Sequence, residues 1–306
     1  GAPASRGARG RTMAGSEADA AAPKQGAPEG DGATPFTVRF WGTRGSIACA
    51  GPETLRYGGN TSCLEVMCGD RRLIFDGGTG LRALGKVIAG EGPQEVDLFL
   101  THTHLDHIIG LPFFAPFHIP GFTPRLWAGH LLPDRTLHGT LSEMMQAPLF
   151  PVPPETFRAN VSFHDFEVGE TLHPAPGITL RTAPLNHPNS AVGYRIEFDG
   201  RAICYITDTE HYEGERDETL IELVRGADIM IYDATYTDEE YPRFVGFGHS
   251  TWQEGCRVAD AAGVEKLVLF HHDPSHNDEM MGEIEAAAAE ARPGTVAARE
   301  GMVLEA

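Results

Sequence analysis

Apolar residues recur with the two-residue period of β-strands along most of the chain, and turn signals separate the runs. Residues 36–41 alternate in this way, and Gly69-Asp70 joins two further runs as in a hairpin. Asp199-Gly200 is a second hairpin signal. The predicted strands are 36–41, 61–67, 72–75, 96–101, 161–166, 178–185, 191–198, 201–207, 228–233, 266–270 and 295–303.

Helical spacing becomes more frequent in the second half, where strands and helices alternate, whereas the first half is rich in hairpins. The predicted helices are 80–88, 135–145, 215–225, 251–262 and 278–291. This order predicts an α/β (α+β) fold in which two mixed sheets pack face to face, with helices on the outside.

Residues 1–35 consist of Gly, Ala, Pro and polar residues without a hydrophobic period. Such a segment cannot bury enough apolar surface to offset the entropy of ordering, so we predict a disordered tail, with Met13 as a candidate natural start. Residues 36–306 are predicted to form a single domain, which at this length can bury a sizeable core.

The segment 110–160 differs from the rest in being rich in Pro, Phe and Met. One interpretation is an apolar wall or lid beside a site, whose aromatic rings enclose part of a substrate. The other is a cover over the sheet, or a surface through which the chain forms a homodimer. The rings concerned are Phe113, Phe114, Phe117 and Phe150.

The formal net charge is −19, from 24 basic and 43 acidic side chains. A chain of this charge repels polyanions in general, which argues against nucleic acid as a partner. The five cysteines include no CxxC pair and are expected to be reduced and mostly buried. The first 35 residues lack the apolar core of a secretory signal, and four prolines interrupt the apolar run 108–127. We therefore expect no membrane helix and a cytoplasmic location.

A dense group of metal-binding side chains follows the apolar run 96–100. The stretch 101–107 reads THTHLDH and contains three imidazoles and one carboxylate. Imidazole and carboxylate together suit Zn²⁺, Mn²⁺ or Fe²⁺, and the absence of thiolate argues against a purely structural zinc site. The alternative is a histidine-rich surface loop without a metal.

Three more ionisable residues, His187, Asp208 and His271, each follow a predicted strand. Strand ends are where α/β sheets collect their ligands. Any one of these alone would more often be a core or turn residue, but their succession after the cluster favours a shared metal site. Asp76 lies in the turn DGGTG, which follows another predicted strand. It could orient a metal ligand without binding the metal itself.

In this order, the motifs resemble those of the metallo-β-lactamase superfamily, and the resemblance covers residues 36–306. It implies an αββα sandwich with two divalent metal ions, for which we expect Zn²⁺ first and Mn²⁺ as the alternative. The resemblance implies His102, His104 and His187 as ligands of one metal. It implies Asp106, His107 and His271 as ligands of the other, with Asp208 as a bridge; the neighbouring His272 is the alternative to His271.

Gly248-His249-Ser250-Thr251 resembles the HST motif of the ribonuclease Z branch, in which the histidine lies near the scissile phosphate. Alternatively, His249 only precedes a helix that Ser250 or Thr251 caps. The branch members that process transfer RNA carry a protruding arm, yet His187 and Asp208 are only 21 residues apart here. With Lys86 and Lys266 as the only lysines outside the tail, this spacing argues against structured RNA as a substrate.

Three stretches, 40–46, 57–62 and 270–276, resemble bacterial and phage-type cyclic-nucleotide phosphodiesterases of this branch. The resemblance implies that His276 and Asn277 could reach the phosphate or the sugar. The alternative is that Asp273-Pro274-Ser275 is simply a turn that leads into the last helix.

The sequence thus predicts a dinuclear metal-dependent phosphodiesterase that hydrolyses a small phosphodiester, with a cyclic nucleotide as the first choice. The expected catalytic residues are Asp106, Asp208 and His249. The rival enzymes are a ribonuclease Z-like nuclease acting on RNA 3′ ends and a lactonase or thioesterase. A metal-binding scaffold that senses a nucleotide without cleaving it is the non-enzymatic alternative.

Overall fold

Two seven-stranded mixed sheets face one another in the computed structural model, which describes residues 34–212 and 214–306. The strands are β1 Phe36–Gly42, β2 Cys63–Cys68, β3 Arg71–Phe75, β4 Glu95–Leu100, β5 Thr123–Ala128, β6 Ser162–Asp165, β7 Thr171–Leu172, β8 Ile178–Leu185, β9 Ala191–Phe198, β10 Arg201–Ile206, β11 Ile229–Asp233, β12 Lys266–Phe270, β13 Val296–Ala297 and β14 Val303–Glu305. The α-helices are α1 Leu81–Glu91, α2 Leu105–Ile108, α3 Leu137–Met144, α4 Glu218–Val224, α5 Trp252–Ala262 and α6 Asp278–Ala291.

The first sheet has the order β14-β1-β2-β3-β4-β5-β6 and the second β13-β12-β11-β10-β9-β8-β7. In the first sheet, β3 to β6 run parallel, and in the second sheet β10 to β13 do so. The hairpins predicted at Gly69-Asp70 and Asp199-Gly200 are present as antiparallel pairs. The carboxyl ends of parallel strands meet at one edge, so each sheet brings several strand ends together.

Aromatic side chains fill the space between the sheets. Phe75 and Phe99 stack at a centroid distance of 5.4 Å, and Tyr194 meets both rings edge-on. Further apolar clusters lie on the outer faces, where α1 and α3 cover the first sheet and α4, α5 and α6 cover the second. The predicted αββα class of fold is confirmed.

The sequence prediction missed β5 and placed the last strand wrongly. Pro124 lies within β5, and a proline disfavours a strand interior because it lacks an amide donor. The single strand predicted for 295–303 is in fact two short strands, one in each sheet. Gly301, with φ 83°, lies in the turn between them.

The segment 110–160 mainly covers the first sheet. Phe114 and Phe117 are fully buried, so they cannot enclose a substrate, and this part of the lid interpretation is wrong. Phe113 remains 56% exposed and contacts Phe150 edge-on.

Three further expectations concern the tail, the cysteines and membrane-spanning helices. Nearly all of the predicted tail, 1–35, lies outside the described residues. The five cysteines are free thiols, four buried and Cys49 half-buried. Among the described helices, none is long and apolar enough to cross a membrane.

Phe99→Ala should lower the free energy of unfolding by about 3–5 kcal/mol, because it opens a cavity between the sheets. Phe113→Ala, at an exposed position, should change it by less than about 1 kcal/mol. Urea denaturation followed by circular dichroism measures both. Equal losses in the two variants would contradict the assignment of the core.

Candidate metal centre

Seven ionisable side chains from separate parts of the chain converge at the strand ends. His102 and His104 follow β4, and Asp106 and His107 lie on α2, which begins directly after His104. The remaining three follow strands of the second sheet: His187 after β8, Asp208 after β10 and His271 after β12. The structure therefore brings together all seven residues that the sequence predicted as ligands.

They form two groups, in each of which the potential ligand atoms lie within 4.8 Å of one another. The first group has three imidazoles, and the second has two imidazoles and two carboxylates. The members are His102, His104 and His187 in the first group and Asp106, His107, Asp208 and His271 in the second.

Asp208 lies between the groups with its two oxygens facing opposite ways. Oδ1 is 3.2 Å from Nε2 of His107 and 3.3 Å from Nε2 of His271. Oδ2 is 3.7 Å from Nε2 of both His102 and His187. One carboxylate therefore faces both groups, as a bridging ligand must.

The backbone is left-handed at three of the strand ends. Asp76, Asp208 and His271 have φ values of 61°, 57° and 61°. Non-glycine residues seldom adopt this conformation, which costs about 1–3 kcal/mol when the surroundings impose it. The turn lets a residue that follows a strand direct its side chain along the edge of the sheet.

Glycines let two loops approach the imidazoles closely. A Cβ on Gly45 would lie 2.4 Å from Nδ1 of His271, and one on Gly248 would lie 2.4 Å from Nδ1 of His187. Either side chain would displace a ring of the centre. These positions explain why glycine is needed in both loops.

Asp76 is fully buried behind the cluster and holds it in place. Its carboxylate accepts a hydrogen bond from Nδ1 of His107 at 2.8 Å and two from the backbone and hydroxyl of Thr101. The hydroxyl of Tyr205, from the second sheet, donates to the same carboxylate at 2.9 Å. With Nδ1 engaged in this way, Nε2 of His107 is left to face the centre.

Two other imidazoles are oriented by the same principle. Nδ1 of His187 donates to the carbonyl of Gly248 at 2.7 Å, and Nδ1 of His271 lies 3.0 Å from the hydroxyl of Thr235. In both rings Nε2 then points towards Asp208. A hydrogen bond on the far nitrogen fixes the tautomer that a metal ligand requires.

The donor set fits two divalent cations. Nε2 of His102 and Nε2 of His107 are buried without a hydrogen-bond partner. Such an atom costs about 1–3 kcal/mol unless something satisfies it, and a cation within reach of both groups would do so. Imidazole and carboxylate donors without thiolate suit zinc, manganese or iron.

The electrostatics of the centre favour the same conclusion. Burial lowers the pKa of His102 and of His187, so both imidazoles are neutral near pH 7 and free to bind a metal. Burial opposes ionisation of Asp208, yet the imidazoles around it, His107 first, hold the pKa of this carboxyl well below its usual range. Burial also opposes a charge on His107, but the surrounding carboxylates Asp208, Asp106 and Asp76 raise its pKa well above the usual range. A cation bound there would take the place of that proton, because a metal ligand must be an unprotonated imidazole.

His249 lies beside the second group and is held by Asp233. Its Nδ1 is 2.9 Å from Oδ2 of Asp233 and 3.9 Å from Oδ2 of Asp208, and its ring stacks on His271 at 4.8 Å. Burial disfavours the imidazolium, but the charge and hydrogen bond of Asp233 outweigh it and raise the pKa of His249 to about 9. Thr251 caps α5 by accepting from the amide of Glu254, so of the two caps expected from the sequence, Ser250 and Thr251, the structure uses Thr251.

The sequence prediction did not include Asp233 among the site residues. Asp233 ends β11, next to β10 and β12 in the sheet, so the strand-end signal that identified Asp208 and His271 could also have found it. It accepts hydrogen bonds from the amide of Thr209 and from Thr235 as well as from His249.

The adjacent histidines 271 and 272 point to opposite sides. Nε2 of His271 faces Asp106 at 3.3 Å, whereas Nε2 of His272 bonds to the carbonyl of Ala298 at 2.8 Å. Burial lowers the pKa of His272 to about 3, as expected for a neutral core histidine. The geometry therefore places His271, and not His272, in the candidate centre.

His276 and Asn277 were expected to contact the substrate, but in the structure both contact other parts of the protein. His276 is 1% exposed and its Nε2 lies 3.0 Å from Glu240. Asn277 caps α6 by accepting from the amide of Met280 at 2.9 Å. These partners match the alternative in which this stretch is a turn leading into the last helix, and we leave both residues out of the proposed site.

Comparison with known proteins points to one family. The family described as the beta-lactamase superfamily domain matches residues 71–272. Ribonuclease Z of Myxococcus xanthus is 24% identical over 295 residues, which cover 80% of this chain and 92% of that protein.

Solved structures share the fold. The metallo-β-lactamase fold protein YhfI of Bacillus subtilis aligns with a TM-score of 0.64 at 22% identity, over 90% of this chain and 100% of that one. A diphosphatase of the PhnP family aligns with a TM-score of 0.60 at 17% identity, over 89% of this chain and 97% of that one.

Asp76→Asn should weaken the binding of divalent metal about 10–100-fold, because it removes the carboxylate that orients His107. Competition with a chromophoric chelator measures the affinity, and circular dichroism verifies folding. Asp70→Asn, at an exposed turn, is the matched control and should bind metal as the parent does. Unchanged affinity in a folded Asp76→Asn variant would refute this role.

Proposed function

This chain belongs to the metallo-β-lactamase superfamily, whose fold implies a metal-dependent hydrolase, and on that premise we propose that it is a dinuclear phosphodiesterase. Its proposed substrate is a small phosphodiester, with a cyclic nucleotide as the first choice. The observation that carries the proposal is Asp208, which faces both ligand groups while His249 lies 3.9 Å from it.

The two ligand groups would each hold one divalent cation, with Zn²⁺ as the first choice and Mn²⁺ as the alternative. The first ion would be bound by His102, His104 and His187, the second by Asp106, His107 and His271, and Asp208 would touch both. When bound, such a pair of ions supplies Lewis acidity towards the phosphoryl oxygens and makes water a better nucleophile near neutral pH.

Asp106 and Asp208 would also position the reacting groups. The backbone amide of Ser46 donates to Oδ2 of Asp106 at 2.8 Å, which fixes this carboxylate at the mouth of the centre. Asp208 is 98% buried and cannot turn towards water, so its two oxygens keep their directions towards the two groups.

His249 is the proposed acid for the leaving oxygen. Its Nδ1 donates to Asp233, which holds the ring and stabilises the imidazolium form. Nε2 would then donate a proton to the departing alkoxide and remain as an unprotonated nitrogen. The pair thus resembles other acid–base pairs in which a buried carboxylate orients a histidine. This phosphate-side histidine is the reason to prefer phosphodiester over carbonyl chemistry.

A ribonuclease Z-like nuclease acting on RNA 3′ ends is the second candidate. The ribonuclease Z relatives favour it, and that of Myxococcus xanthus matches over 92% of its own length. Two features count against it. The net charge of −19 repels a polyanion, and the interval between His187 and Asp208 is taken up by the β9–β10 hairpin with its two-residue turn.

Two further expectations remain proposals. We infer a homodimer from the exposed apolar side chains of the segment 110–160, such as Phe113 and Leu149, which are 56% and 79% exposed. A cytoplasmic location remains the prediction made from the sequence.

His104→Ala and Asp208→Ala should abolish hydrolysis of bis(p-nitrophenyl) phosphate and lower the metal content, because each removes a ligand. Elemental analysis and initial rates on the folded variants measure both effects. His138→Ala, at a half-exposed histidine on α3, is the control and should retain rate and metal. Full activity in both ligand variants would end the proposal of a dinuclear centre.

His249→Ala should lower kcat by about 10²–10⁴-fold with the metal content unchanged, because only proton donation is lost. The loss should be smaller for a diester whose leaving group is a good one, such as p-nitrophenolate, than for an alkyl leaving group. Loss of metal in this variant would instead place His249 among the ligands.

Hydrolysis of cyclic mononucleotides and processing of a precursor transfer RNA, compared at equal enzyme concentration, separate the two candidate functions. We expect turnover of a cyclic mononucleotide and weak or no cleavage of the RNA. Efficient cleavage at the RNA 3′ end, without turnover of the cyclic compounds, would favour the nuclease.

A further inference from the structure

A continuous row of aromatic rings leads from the candidate centre to the surface. Tyr236 lies 6.1 Å from the His249 ring and stacks on Phe244 at 4.5 Å with an interplanar angle of 6°. Phe244 meets Phe247 edge-on at 5.8 Å. We call Tyr236, Phe244 and Phe247 the aromatic ridge.

The outer end of the ridge is held in solvent by a buried carboxylate. Phe247 is 61% exposed, whereas Glu210 beneath it is 9% exposed. The amides of Gly246 and Gly248, on either side of Phe247, both donate to Glu210, at 2.7 and 2.8 Å. The loop is thus anchored through its backbone, and the ring between the two anchors projects outward.

This loop is fastened directly to the centre. The carbonyl of Gly248 accepts the hydrogen bond from Nδ1 of His187, and His249 follows in the chain. Consecutive Cα atoms are about 3.8 Å apart, so the Cα of Phe247 lies within about 8 Å of the Cα of His249. The backbone that carries this exposed ring therefore lies next to the candidate centre.

Two more exposed apolar side chains are connected to the centre through the chain, Leu105 directly and Ile47 through its neighbour Ser46. Ile47 is 65% exposed and follows Ser46, whose amide donates to Asp106. Leu105 is 63% exposed and lies between His104 and Asp106. Exposing apolar surface has a cost of about 25 cal/mol per Å², which a ligand that covers these side chains would recover.

We propose that Phe247 determines specificity by stacking against a flat aromatic substituent of the phosphodiester, such as a nucleobase or an aryl group. We assign Ile47 and Leu105 to the same contact as the other exposed apolar side chains connected to the centre through the chain. This inference rests on the proposed function, and it assigns to the ridge the contact that the sequence had suggested for Phe114 and Phe117. A groove for a long polyanion would use basic side chains along its path, whereas these three side chains are apolar.

Two diesters with the same leaving group isolate the contact: bis(p-nitrophenyl) phosphate and methyl p-nitrophenyl phosphate. They differ in the substituent that remains on phosphorus, aryl in one and methyl in the other. For each variant, kcat/KM for the aryl diester is divided by kcat/KM for the methyl diester, and this quotient is divided by that of the parent protein. The resulting double ratio cancels the intrinsic reactivity of the two diesters. For Phe247→Ala we expect this double ratio to fall about tenfold, mainly through KM, because stacking on one ring is lost.

Matched variants distinguish stacking from a structural effect. Phe247→Tyr keeps the ring and should keep the preference. Phe113→Ala removes a ring of similar exposure, 56%, from the segment 110–160 and should also keep it. Loss of preference in Phe113→Ala instead of Phe247→Ala would overturn the assignment.

Binding provides a measurement that does not need turnover. Calorimetry with the metal-loaded protein should show that Phe247→Ala weakens phenyl phosphate about tenfold and leaves methyl phosphate unchanged. Equal effects on the two ligands, or equal effects on the two diesters, overturn the role of Phe247 and leave the proposed function standing. If the parent hydrolyses neither diester, the proposed function fails, and the binding comparison still decides the role of Phe247.

The alternative partner of the exposed ring is a second copy of the chain, which would use the ring for self-association. Sedimentation velocity of the parent and of Phe247→Ala over a range of concentrations tests it. Unchanged sedimentation agrees with a substrate contact. A shift towards monomer in the variant, with an unchanged double ratio, would assign Phe247 to an interface between copies and overturn the proposal.

Discussion

The structure depends on holding several ionisable side chains close together and away from water. Carboxylates and imidazoles lose hydration when they are buried. This loss costs free energy unless a hydrogen bond or an opposite charge compensates for it. In this protein Asp208 is 2% exposed and His102 and His107 are 1% and 0% exposed. The surrounding hydrogen bonds leave their ligand atoms facing one another, an arrangement that two cations would satisfy. The same centre therefore links stability to chemistry.

The two sheets contribute different halves of this centre, so their alignment matters as much as their strands. The first sheet supplies the THTHLDH stretch, and the second supplies His187, Asp208 and His271. Two buried tyrosines connect the halves: Tyr205 donates to Asp76, and Tyr194 donates to the carbonyl of Leu100 at 2.6 Å. These hydrogen bonds cross the apolar interior, where directional contacts can set the register of one sheet against the other.

The surroundings of the centre explain how a chain with a net charge of −19 could act on an anionic ester. Its long-range field is repulsive, so attraction must come from bound cations and from short-range contacts. The exposed apolar side chains in the proposed substrate contact would add contacts that do not depend on charge. Under that proposal they suit a compact substrate with an aromatic part better than an extended nucleic acid.

Much of the fold and the ligand set was accessible from the sequence, because strand period, turn signals and polar residues after strands are local patterns. His102, Asp208 and His271 could be identified in this way, and the hairpin at Asp199-Gly200 was read correctly. Elements whose formation depends on neighbours were missed, such as β5 with its internal Pro124, which is stabilised by pairing on both sides.

Only the tertiary structure decided which side chains are free to meet a substrate. Local sequence does not distinguish Phe117, buried in the apolar cluster on the first sheet, from Phe247, whose loop is anchored by Glu210 and whose ring is exposed, because burial depends on contacts distant in the chain. For the same reason, local sequence does not show that His271 and His272 point to opposite sides, or that Asp233 contacts His249. Sequence determined which chemical groups the chain carries and near which strand ends they fall; packing of the two sheets decided their directions.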